Sequence, residues 1–235
     1  MKPGDIDKLL GPDDGRDPSN APLRPDLAAS IVGRMTGDLR PVHPLPSAGR
    51  ITAGFAFISA AILLLAALVL GHLGFARLNW SAIIVTFGSL AVCIGLVSFA
   101  LAGEMAPGSR RFMPSWALVA AVLLGLAVLS AALFPYHAEV AFWRHVGRCF
   151  PIGMACGAVA GGIVWILVCR GAVMHARAAG ALAGLLGGVT GMAVLEAHCA
   201  NFNAAHILMA HWGVAAAGAA AGWIGAAIAA RFRPC

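Results

Sequence analysis

The sequence predicts an all-α fold: an integral membrane six-helix bundle with a short cytoplasmic N-terminal segment. Three observations carry this. The 235 residues are 60% hydrophobic and only 11% charged, whereas soluble domains carry about 25% charged residues. Six apolar segments each approach the ~20 residues needed to cross a bilayer. The arginines gather between those segments rather than within them.

The chain opens on polar sequence. The stretch "GPDDGRDPSNAPLRP" is rich in Pro, Gly and Asp, a composition that favours disorder. No apolar core of signal-peptide type occurs in the first 50 residues, so no secretory signal is expected. "PDLAASIVGRMTGDLR" follows, with Leu27, Ile31, Met35 and Leu39 at i, i+4, i+8 and i+12. That spacing predicts one apolar stripe on an amphipathic helix, with Asp26 near its start. "PVHPLP" then stops any helix. Seven basic residues face seven acids before position 51, so this segment offers no basic patch and no direct nucleic-acid partner is expected. The expected divisions are a disordered extension at 1–25, the amphipathic helix and Pro-rich linker at 26–50, and the six-span domain at 51–235.

The spans are expected at about 51–72, 80–103, 114–134, 150–169, 179–197 and 204–230. The distribution of Lys and Arg orients them. With the N-terminus inside, the cytoplasmic segments hold thirteen of the sixteen basic residues; Arg77, Arg144 and Arg148 remain outside. Both termini are therefore expected in the cytoplasm of a bacterial-type inner membrane. Glycines recur every four residues in the last three spans: Gly153, Gly157 and Gly161, then Gly180, Gly184 and Gly188, then Gly218 and Gly222. Such spacing lets helix backbones approach closely, so these spans are expected to form a tight bundle.

On this topology the outer side collects His72, His137, His145, Cys149, Glu196, His198 and Cys199. His206 and His211 lie just inside the sixth span. Cys156 lies two turns below Cys149, on one face with it and His145, provided the helix starts early enough to put Pro151 in its first turn. Asn201 or Asn203 can cap the helix carrying His206 and His211. Those histidines are five apart, about 140° around an α-helix, which argues against a paired metal site. Two readings stand for Cys149 and Cys199: a disulfide, which the periplasm permits, or ligation of Zn(II), Cu(I) or Cd(II) by thiolate and imidazole. His198, His206 and His211 are the nearest further ligands, with His145, Cys156 and Glu196 behind them. Glu196 can equally be a proton acceptor or a histidine's partner. Cys93, Cys169 and Cys235 read as bystanders, and Trp80 and Trp212 as part of the aromatic belt. No Cys-x-x-Cys, His-Glu-x-x-His or nucleophile motif is present, so no enzyme is expected.

Several motifs occur in a telling order: "DLRPVHPLPSAGR", a first span, "GEMAPGSRR", a cysteine at the head of span 4, "ARAAGALAGLLGG", and "HCANFNAAHILMAHWGV". Over residues 35–230 this order resembles the NrsF-type family of six-span membrane proteins, negative regulators of an extracytoplasmic-function sigma factor. Many relatives carry Cys-Pro where this chain has "HCAN". The resemblance implies that Cys149 and Cys199 are the family's paired sensor cysteines. It implies a cytoplasmic segment that holds the sigma factor at the bilayer, and release when the outer cysteines react to redox or heavy-metal stress. Leu27, Ile31, Met35 and Leu39 would then make a helix-in-groove contact with that partner; a helix lying on the membrane surface is the alternative. A small carrier or channel for a soft metal ion is the alternative function, set back by the scarcity of ionisable residues within the spans.

Overall fold

A computed structural model describes residues 25–37, 46–106, 108, 113–139 and 141–232. The chain divides into two compact units, residues 1–44 and 45–235. In the first, α1 spans Pro25–Gly37, with Asp26 in its first turn. This helix lies where the amphipathic one is expected, and residues 38–45 lie outside the described residues. Leu27 is half-buried and Ile31 is 43% exposed. The side chain of Met35 and all of Leu39 lie outside the described residues, as does the extension before Pro25.

Every regular element described in the second unit is a helix: α2 (Ala48–Leu70), α3 (Leu73–Arg77), α4 (Trp80–Glu104), α5 (Ser115–Leu133), α6 (Phe142–Val168), α7 (Ala176–His198), α8 (Ala204–His206), a π-helical turn (Ile207–Trp212) and α9 (Gly213–Phe232). No strand occurs among the described residues. Among the described residues, six helices are long and apolar enough to cross a membrane, the last running from Ala204 to Arg231 through the π turn. The protein is a multi-pass membrane protein.

Three features differ from or add to the expected spans. The fourth span starts at Phe142, eight residues before position 150, so Pro151 sits inside α6 rather than in its first turn. The short helix α3 fills the connection between the first two spans. The sixth span is not continuously α-helical.

Most of α7 between Ala179 and Ala197 is buried. It touches α2, α3, α4, α5, α6 and α9, so the bundle is built around it. The glycines explain how. A Cβ on Gly157 would lie 2.9 Å from the carbonyl oxygen of Gly187, and one on Gly161 would lie 3.2 Å from that of Ala183. On the other face, Gly184 and Gly222 would collide with the carbonyls of Gly218 and Gly180. Backbone meets backbone, which replaces the hydrophobic drive that lipid cannot supply. Elsewhere α7 docks through side chains: Thr190 Oγ1 donates to Ser59 Oγ of α2 at 2.9 Å. Trp212 is not simply a belt residue, since its indole donates to the Leu123 carbonyl of α5 at 2.7 Å.

Candidate functional site

One end of this bundle carries the chemistry. Cys149 lies near the start of α6, and Cys199 caps the end of α7, its N–H bonded to the Leu195 carbonyl. Fifty residues apart in sequence, their sulfurs are 3.5 Å apart. Asn203 caps α8, accepting from the Ala205 N–H at 3.0 Å, and donates through its side chain to the His137 carbonyl at 2.6 Å. That anchorage sets the entry of the sixth span beside Cys199, whose sulfur lies 3.5 Å from His206 Nε2.

The geometry overturns the argument that His206 and His211 point apart. Residues 207–212 form a π-helical turn. Where the backbone closes i to i+5 hydrogen bonds, residues five apart stack much as i and i+4 do in an α-helix. The two rings sit 5.2 Å apart in a T-shaped arrangement. One donor atom from each of Cys149, Cys199, His206 and His211 lies within 4.8 Å of the others. These four residues could hold a metal ion. Tetrahedral zinc bonds of about 2.0–2.3 Å imply donor separations of about 3.3–3.8 Å, and the 3.5 Å contacts already meet that. A disulfide would need the sulfurs to close by about 1.5 Å, so the pair is placed for either chemistry.

Behind the donors stands Glu196. Its Oε1 lies 3.0 Å from His211 Nδ1, and both residues are fully buried. A carboxylate there holds the proton on Nδ1 and turns Nε2 towards the sulfurs. His211 Nε2 has no hydrogen-bond partner among the described residues, nor does His206 Nδ1 or Glu196 Oε2. Glu196 is thus placed as a histidine's partner, behind the four-residue group rather than in it.

Three other candidates fall outside the cluster. Cys156 shares a face with Cys149 but lies about 10 Å lower at 1.5 Å per residue. His198 turns to the Gly71 carbonyl, 3.4 Å away. His145 instead pairs with Glu139, which also accepts from Asn201 Nδ2 at 3.0 and 3.2 Å. Sequence reasoning missed Glu139. Its signal was available, because it is the only acid between Glu104 and Glu196. Burial works to raise the Glu139 pKa, but hydrogen bonds from His145 and Asn201 and the charge of His145 bring it below the usual carboxylate value. The Cys199 thiol is pushed up by its contact with Cys149 and by burial, against the opposing pull of His206 and His211.

Of the remaining cysteines, Cys93 is a half-buried free thiol. Cys169, read as a bystander, is disulfide-bonded. Cys235 lies outside the described residues.

No family model, no curated protein and no solved structure matches the chain.

Proposed function

We infer that this chain is a membrane-bound anti-sigma factor. Its Cys149–Cys199 pair senses redox or heavy-metal stress outside the membrane, and its cytoplasmic N-terminal segment holds an extracytoplasmic-function sigma factor. The observation that supports this best is the approach of the two sulfurs to 3.5 Å. They come from helices otherwise clamped together by glycine, so a bond or a metal formed there must act on the packing of α6 against α7. The positive-inside distribution of arginine supports a periplasmic position for the cluster, in a bacterial inner membrane. The motif order supplies the regulatory role, and the apolar stripe at Leu27 and Ile31 supplies a surface for the partner.

Affinity purification of the full chain from membranes tests this reading. A sigma factor is expected to co-purify with the wild type, and Cys149→Ser or Cys199→Ser is expected to induce its regulon. Absence of any sigma factor from the purified material sinks the proposal. Membrane-impermeant thiol labelling of intact cells tests the orientation, with labelling expected at Cys149. The disulfide at Cys169, at the opposite end of α6, gives a second test: a reducing cytoplasm would open it, so its survival in intact cells would count against this orientation.

A further inference from the structure

We propose that the Cys149, Cys199, His206 and His211 cluster is a closed tetrahedral site for a divalent d¹⁰ ion of the Zn(II) class, with Glu196 as the positioning residue that aims His211. This rests on the reading of the cluster as a sensor and names what the sensor holds.

Donor type and number come first. Two sulfurs and two imidazoles are the set of a four-coordinate structural zinc site, with no position left for water. Hard ions such as Mg(II) and Ca(II) prefer oxygen donors, which the set lacks.

Charge then discriminates among soft ions. On binding, each thiol loses its proton to water, so two S–H bonds break, two metal–sulfur bonds form and two protons leave. Two thiolates cancel a divalent charge. With the Glu196 carboxylate counted, a divalent ion leaves one net negative charge, and a monovalent ion such as Cu(I) would leave two. No Lys or Arg is among the buried residues described, and Arg144 and Arg148, on the same helix as Cys149, are exposed. Each further uncompensated charge in such surroundings is expensive, which favours the divalent ion.

Histidine orientation is the independent observation. His211 is fully buried, yet its Nε2 makes no hydrogen bond among the described residues, with the Cys199 sulfur as its neighbour in the cluster. A buried ring nitrogen normally makes such a bond. Its Nδ1 is bonded to Glu196, the carboxylate–histidine pairing that accompanies metal-ligating imidazoles. The π turn that aligns His211 with His206 is of a kind that recurs at functional sites.

Co(II) titration of the reduced, full-length protein in detergent micelles is the test. One Co(II) per chain is expected, with thiolate-to-cobalt charge-transfer absorption and the intense visible bands of a tetrahedral centre, both removed by Zn(II). Glu196→Gln keeps the bands and weakens binding about 10–100-fold. His211→Ala, verified as folded by circular dichroism, loses the tetrahedral spectrum. The inference is overturned if the wild type takes up no Co(II), or if folded His211→Ala gives the wild-type spectrum. Co-purification of a sigma factor without Co(II) binding would overturn this site alone. Stoichiometric Co(II) binding with no sigma factor would overturn the regulatory reading alone.

Discussion

Helices α2, α4 and α5 differ from α6, α7 and α9 in how they are held. The first group turns large side chains such as Leu64, Leu68, Ile84 and Leu124 outward and meets α7 through side chains. The second group presses peptide against peptide along rows of glycine. Every donor of the Cys/His cluster belongs to the second group or to the loop and turn that join it. The lesson is that a buried polar site in a membrane protein needs fixed surroundings, and close backbone contact fixes them more firmly than side chains that can change rotamer.

The largest effect that would test this contrast comes from adding one methyl group at two glycines. Gly187→Ala drives a Cβ into the backbone of Gly157 and Gly161 and is expected to cost about 1–3 kcal/mol in detergent unfolding. Gly125→Ala on α5 meets nothing within 4 Å and is expected to be neutral or stabilising by up to about 1 kcal/mol through helix propensity. Equal losses at both positions would erase the distinction.

Asn203→Ala removes the cap of α8 and the bond to the His137 carbonyl. A loss of about 1 kcal/mol is expected, with faster hydrogen exchange at the Ala205 amide as its local signature. A smaller change follows from Thr190→Val, which deletes the hydrogen bond that ties α7 to α2. Such bonds contribute about 0.6 kcal/mol between membrane helices, and thermal unfolding reads it.

The smallest effect is a pH response at the loop. The Glu139 pKa lies below its ordinary value of 4.5. Its contribution to stability is therefore complete above pH 4.5 and is lost as the pH falls through the lowered value. Hydrogen exchange around Asn201 is expected to quicken in acid, and Glu139→Gln to abolish that response.

The sequence made legible whatever follows a one-dimensional rule. Six spans follow from apolar length, and the close contacts of α6, α7 and α9 from glycine at every fourth residue. A cap at Asn201 or Asn203 follows from their position before an apolar run, and the fold selects Asn203. Three features escaped because tertiary contacts decide them. Arg144 and Arg148 make the start of α6 look like a loop, although both point outward from a helix. The π turn at 207–212 has no pattern of its own, so a calculation with α geometry separated two histidines that are stacked. Glu139 finds its partners only when the loop after α5 folds over the cluster.

Pro151 gives α6 a soft joint two residues past Cys149. Its nitrogen carries no hydrogen and cannot donate to the carbonyl of Gly147, its partner one turn back. Above the joint, the rod bears a sulfur; below it, from Gly153 onward, the rod is gripped by α7. Traction on that sulfur therefore tilts the upper rod first and arrives at the grip as leverage, not as a thrust along the axis.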